Sequence, residues 1–345
     1  VCTRMIFVLK IAIMRVYLFI LVLCCCLLAS CSSIGSGFPL EETLTQELMP
    51  LQGITNPMLV EIKSPFLILK NWKMHDSIFH IYDLTSHELK WVFGTEGQGP
   101  GEFISPSLFQ TQLPGILIGD FGKNEVIRFD IDRNGQPVFK ESQKLVYDNA
   151  LYDAAFINDS LYIADPKYML IPSLYLLARG DSLPRKIWTY RNPNILDYSL
   201  DPDKGEVYAS ENHIVFCYSY KKQIDFMDTA FNLVKRVKFE YDDPTDITGD
   251  NYDDVKISYT RGYLGKRYFY AMFLGRSWKK HRENFTKGTF LEVFDLDGNP
   301  IIRYYLEGKC PSNFAVDEET FTLYGATEDG EPEDYLLMYK LKGLS

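Results

Sequence analysis

The sequence predicts an all-β fold: a six-bladed β-propeller of four-stranded antiparallel blades, the last blade closed by an N-terminal strand. Three observations lead there. After residue 50 no amphipathic helix of useful length can be drawn, whereas short β-branched and aromatic runs recur between Asp, Asn, Gly and Pro clusters. The runs group into units of about 50 residues, near the period of four-stranded blades. The stretch Gly97-Gln98-Gly99-Pro100-Gly101-Glu102-Phe103 reads as a junction between two such units, with three glycines placed for positive φ and Pro100 stiffening the turn.

Taken in order, blade one draws on residues 58–62, 66–69, 78–82 and 89–93, and the glycine turn follows it. Blade two shows apolar runs at 116–118, 126–129 and 138–140, with Asn134-Gly135 as a tight hairpin. Blade three uses 154–156, 161–165, 174–177 and 186–190, and blade four 207–209, 214–217, 224–226 and 234–237. Blade five uses 255–257, 268–273, 291–294 and 301–305, with Asp297-Gly298 as its last hairpin. Blade six offers only 314–316, 321–324 and 335–339 before Ser345, one strand short. A propeller ring closes when a strand from one terminus completes the blade supplied by the other, which removes an exposed edge. Residues near Leu48 to Ile54 are the candidate for that strand.

The N-terminal segment predicts export. Arg15 precedes an uninterrupted apolar run of 14 residues, 16–29. That is too short for a hydrocarbon core needing about 20, and it fits a signal-peptide core; a transmembrane anchor is the alternative. Leu28-Ala29-Ser30-Cys31 then resembles a bacterial lipobox, so Cys31 is the expected lipidation site and new N-terminus, with Met14 fitting as the true start. Residues 1–30 are the expected signal peptide, 31–45 a lipidated flexible tether, and 46–345 the propeller. Ser32, with no acid after the cysteine, favours the outer membrane by resemblance to lipoprotein sorting rules. Of seven cysteines only Cys217 and Cys310 fall in the propeller, either as a disulfide or as two buried thiols.

These residues also carry a resemblance. Over Gly97 to Phe103, Ile127-Arg128-Phe129-Asp130, Val293-Phe294-Asp295-Leu296-Asp297-Gly298-Asn299-Pro300 and Phe314-Ala315-Val316-Asp317-Glu318, the chain resembles the six-bladed β-propeller lipoproteins described as TolB-like or NHL-like, found in Gram-negative gut bacteria. The resemblance spans nearly all of the chain after residue 30 and rests on blade corners. It implies a fold and an envelope address, without a settled activity.

Composition narrows the chemistry. The chain carries −10, and setting aside residues 1–30, which hold Arg4, Lys10 and Arg15 and no acid, leaves −13. Such an acidic chain is a poor general binder of nucleic acid. His75, His80, His87, His213 and His281 show no metal-ligand spacing, so no metal or other cofactor is expected. Asp295-Leu296-Asp297-Gly298-Asn299 lacks the later glutamate of a calcium loop and reads as a hairpin. No Gly-x-Ser-x-Gly elbow and no phosphate loop are present.

One electrostatic feature remains. Glu240, Asp242, Asp243, Asp246, Asp250, Asp253 and Asp254 form an acidic run, and residues 261–287 then carry net +7. Blade-to-blade links and second-to-third-strand connections emerge on one propeller face, so the acidic 242–254 link and the basic 275–288 loop should meet there. Arg276, Trp278, Lys279, Lys280 and Arg282 are the candidate partner-binding residues, by charge and stacking, unless the two runs merely solvate or neutralise one another. The function expected is a lipid-anchored envelope scaffold for a protein, peptide or glycan. The alternative is a propeller hydrolase, such as a metal-dependent lactonase, with carboxylates converging on the axis.

Overall fold

Strand follows strand through hairpins, and each sheet pairs in sequence order, so the chain builds one radial blade before starting the next. The computed structural model describes residues 37–53, 56–72, 75–99, 101–144, 153–165, 173–181, 183–190, 192, 201–244, 247–248, 250–327, 330 and 333–345. The expected signal peptide, Cys31, Pro100 and Asp246 lie outside the described residues. The propeller unit runs from Pro39 to Ser345.

The unit opens with two short strands, β1 (Glu41–Leu44) and β2 (Glu47–Pro50). Blade one is β3 (Pro57–Lys63), β4 (Phe66–Asn71), β5 (Phe79–Asp83) and β6 (Leu89–Phe93). A junction pair, β7 (Thr95–Glu96) and β8 (Glu102–Phe103), leads into blade two. That blade is β9 (Pro106–Leu108), β10 (Ile116–Asp120), β11 (Glu125–Ile131) and β12 (Pro137–Lys144). Blade three is β13 (Asp153–Phe156), β14 (Leu161–Asp165), β15 (Ser173–Ala178) and β16 (Lys186–Thr189). Blade four is β17 (Gly205–Ala209), β18 (Ile214–Tyr218), β19 (Gln223–Met227) and β20 (Leu233–Lys238). Blade five is β21 (Lys256–Leu264), β22 (Tyr268–Ser277), β23 (Thr289–Asp295) and β24 (Pro300–Leu306), with a one-turn helix, α1 (Trp278–Glu283), between its second and third strands. Blade six supplies β25 (Pro311–Asp317), β26 (Thr322–Thr327) and β27 (Tyr335–Lys340).

The ring closes as the sequence implied: β2 pairs antiparallel with β27, setting Leu48 against Leu337 and Met49 against Leu336. Met49 is the anchor of this latch, buried with Val60 and Tyr82 of blade one and Ala315 and Leu336 of blade six. A second N-terminal strand was not expected. β1 pairs in parallel with β24, Glu41 opposite Arg303 and Leu44 opposite Leu306, and makes blade five a five-stranded sheet. Residues 41–44 are therefore ordered strand, a correction to the flexible tether expected over 31–45. The outer edge of β24 offers unpaired backbone groups, and β1 satisfies them.

Apolar side chains fill the space between neighbouring blades. Ile68 and Phe79 share a buried cluster with Leu108 and Ile116, Leu117 with Tyr162, Ile163 with Val207, and Tyr270 with Phe314. Blades four and five join through aromatic contacts of Phe226 with Phe269 and Phe294, ring centroids 6.1 Å apart in both. Burying each such side chain contributes roughly 1.5–3 kcal/mol before entropy is counted. Cys217 and Cys310 are both buried, and no disulfide joins them.

The glycine turn is held by its own glutamate. Gly99 N donates to Glu102 Oε2 at 2.7 Å, and Lys123 Nζ caps the carbonyls of Gly99 and Glu102 at 3.0 and 2.7 Å. Positive φ occurs at Gly101 and Gly97, while Gly99 does not need it. Because strands alternate in direction, first-to-second and third-to-fourth turns share one face, called lower here; links between blades and second-to-third connections share the upper face.

Candidate functional site

An axial cavity of about 400 Å³ opens on the upper side. Its wall is made where inner strands begin, with Leu59, Ser107 and Ala155, and by Glu206, Tyr208 and Arg261 from blades four and five. Tyr208 is buried; its hydroxyl donates to Glu206 Oε2 at 2.5 Å and accepts the Gly262 amide at 2.6 Å. Burial, reinforced by the Glu206 charge, holds that phenol well above its ordinary pKa, so it stays a donor. Arg261 Nη1 lies 3.5 Å from Glu206 Oε2. Lys70 and Trp72 enter the same cavity from the end of β4.

The floor is a loop of blade two, which bonds to three other blades. Gln110 Nε2 donates to the carbonyls of Val60 in blade one and Phe314 in blade six, at 3.2 and 2.5 Å. Gln112 Nε2 donates to Leu264 O and Gly265 O of blade five, at 3.3 and 2.5 Å. Thr111 N donates to Glu61 Oε1, 3.2 Å away, and Lys63 Nζ lies 2.7 Å from the same oxygen. Glu61 is buried; desolvation pushes its carboxyl pKa up, against the opposing pull of Lys63. Thr111 lines both the upper cavity and a lower one of about 970 Å³, so this loop partitions the axis. The lower cavity is bordered by turns carrying Asp130, Asp132, Arg133, Lys266 and Glu318.

The acidic link and the basic loop do meet. Lys279 Nζ is 3.2 Å from Asp254 Oδ1, and Arg282 Nη2 is 2.8 Å from Asp253 Oδ2. Lys256 and Lys238 pair likewise with Asp242 and Asp243 at 2.9 and 3.1 Å. Exposed pairs of this kind contribute about 0.2–1 kcal/mol each, so much of the two runs' charge is mutually neutralised without great stabilisation. The five residues singled out from sequence divide. Lys279, Lys280 and Arg282 are exposed on α1, whose N-cap Ser277 accepts the Lys280 amide. Trp278 is half-buried against the blade-five core. Arg276 faces inward: its guanidinium donates to Gly288 O at 2.9 Å, Lys287 O at 2.6 Å and His281 Nδ1 at 3.0 Å. It fastens both ends of the loop, so its expected place on the outer surface is corrected.

Sequence reasoning did not find Lys70, Trp72 or Gln110, which lie on separate stretches with no shared motif. Among the described residues, no group of three or more His, Cys, Asp or Glu converges as a metal site would require, and no helix is long and apolar enough to cross a membrane.

Comparison with known proteins agrees with this architecture. A family model described as TolB-like 6-blade propeller-like matches residues 197–319. Among solved structures, an exported-protein candidate from Bacteroides fragilis superposes with a TM-score of 0.54 at 12% identity, covering 87% of this chain and 98% of its own. A member of the DUF4221 family from Bacteroides vulgatus gives 0.54 at 13% identity, covering 86% and 96%. At such identities the likeness is one of fold. No curated protein matches the chain.

Proposed function

We propose that this chain is an exported, lipid-anchored scaffold of the cell envelope, tethered through Cys31 in the outer membrane, whose upper face receives a protein, peptide or glycan partner. Export is supported by the short apolar segment at 16–29 and by the export description of a structural neighbour. The observation that carries the binding reading is the convergence on one face of an open axial cavity and a rim of apposed acidic and basic loops. Opposed charges at a rim steer encounter and set orientation more than they add affinity.

The test is capture from envelope extracts by the mature chain and by a K279E/K280E/R282E variant. Arg276 is left intact because it supports the loop. A partner band retained by the parent and lost by the variant is expected; equal capture refutes rim docking. Anchoring is tested separately by metabolic labelling with a palmitate analogue, where label must appear on the parent chain and vanish in Cys31→Ala.

A further inference from the structure

The upper cavity contains three features that the charged rim does not use. Lys70 reaches it half-buried, and among the described residues no carboxylate pairs with it; its ammonium contacts Met58 Sδ at 3.9 Å. Burial pushes its ammonium below the ordinary lysine range. A cation partly withdrawn from water without a counter-ion is a deficit that an anionic ligand would remove. Two residues on, Trp72 is 46% exposed at the same cavity. A solvent-facing indole beside a cation gives a flat apolar plate with polar surroundings.

Glu206 supplies the third feature. It lines the same cavity with its side chain 30% exposed, and beyond the Tyr208 hydroxyl that its Oε2 accepts, the carboxylate keeps acceptor capacity for a ligand hydroxyl. The volume of about 400 Å³ lies within the range of small-ligand sites, about 300–1,000 Å³.

An anionic group for Lys70, a flat C–H face for Trp72 and a hydroxyl donor for Glu206 together describe an acidic sugar. We propose that the upper axial cavity binds a hexuronic acid, alone or as the terminal unit of a disaccharide, with its carboxylate at Lys70, its ring face on Trp72 and a hydroxyl donated to Glu206. Arg261, beside Glu206, takes a further hydroxyl. This deepens the scaffold reading and rests on its claim that the upper face binds.

The experiment is titration of the mature chain with glucuronate, galacturonate and their disaccharides, followed by tryptophan fluorescence and calorimetry, with glucose and galactose as neutral controls. Saturable binding of at least one uronate is expected, with the matching neutral sugar about tenfold weaker or more, the equivalent of one charge-assisted contact. Lys70→Met should lose that discrimination and Lys70→Arg keep it, while Trp72→Ala should weaken both sugars; melting temperatures verify that each variant is folded. No uronate binding by the parent chain, undiminished uronate binding by folded Lys70→Met, or preference for a free peptide carboxylate overturns the proposal. Capture of an envelope partner without uronate binding removes this inference and leaves the scaffold reading; uronate binding with rim-independent capture does the reverse for the rim.

Discussion

Glu292 of β23 has no solvent exposure, and two cations converge on its Oε1: Lys222, from the β18–β19 connection of blade four, at 2.9 Å, and Arg303, from β24, at 3.1 Å. The carboxylate's other oxygen, Oε2, accepts the Tyr259 hydroxyl at 2.7 Å. Glu292→Gln preserves shape and removes only the charge, leaving two cations facing each other in the interior. Removing one partner of a buried ion pair costs about 3–5 kcal/mol. Part of the compensation survives here. Lys222 Nζ stays 4.4 Å from the Phe273 ring centroid, Arg303 stacks 3.7 Å from that of Phe290, and Glu41 remains 3.7 Å from Arg303. The lower end, about 3 kcal/mol, is therefore expected, read as a shift of the midpoint in urea unfolding at constant slope. A triple change, Lys222→Met, Glu292→Leu and Arg303→Met, should recover most of that loss, because an apolar replacement removes the desolvation cost with the charges. A loss below about 1 kcal/mol for Glu292→Gln would refute the view that this cluster staples blade four to blade five.

The acid limb of stability should depend on His80, whose ring is buried and whose pKa is pushed down to about 4 by desolvation, against a weaker opposing contact with the Ser77 backbone. The unfolded chain takes up that proton near the ordinary pKa of about 6.5, so stability is present above it and falls as pH drops from about 6.5 toward 4; His80→Phe should flatten this slope in unfolding curves recorded across that window, and an unchanged slope counts against the assignment. Two glycines with nearly equal φ should respond differently to alanine. At Gly180 a Cβ would meet nothing within 4 Å, so Gly180→Ala should cost about 1 kcal/mol for the left-handed backbone alone; at Gly115 a Cβ would lie 2.3 Å from the Phe129 carbonyl oxygen, and the cost should be clearly larger by the same melting assay. Met49→Ala should cost about 2–5 kcal/mol, since it empties the latch between the first and last blades, and a near-neutral result would mean that β2 does not secure the ring.

Most blades were legible because an inner or middle strand is a short apolar run bracketed by turn residues, as in Ile214–Tyr218 and Gln223–Met227, both fully buried. β9 escaped notice because Pro106–Leu108 is three residues long with one buried side chain, too short for any periodicity. β1 was invisible for another reason: among Glu41–Leu44 only Leu44 is buried, and the strand exists because the edge of β24 demands a partner. At the candidate site, the charge run was legible and its geometry was not. Arg276 looks like its basic neighbours in sequence, yet it precedes the N-cap Ser277 at the end of a buried strand and turns inward, whereas Lys279 and Lys280 fall on the exposed turn of α1. Lys70 could not have been recognised as lacking a carboxylate partner among the described residues, since that is a property of the assembled axis.

The axial loop follows from the same physics that closes the ring. Pairing blades leaves the innermost strand of each sheet with one edge facing the axis, and an unpaired edge needs cover. Here the cover is side-chain amide rather than strand: Gln110 and Gln112 bring donors to carbonyls of blades one, five and six, and Asn313 Oδ1 accepts the Val60 amide at 2.8 Å. A carboxamide can answer donors and acceptors alike, which suits an axis where both kinds of backbone group are present. Such a plug fixes the floor of the upper cavity to three blades at once. Lys70 takes no part in that closure, and among the described residues no carboxylate pairs with it; an anionic ligand in the cavity would answer that charge.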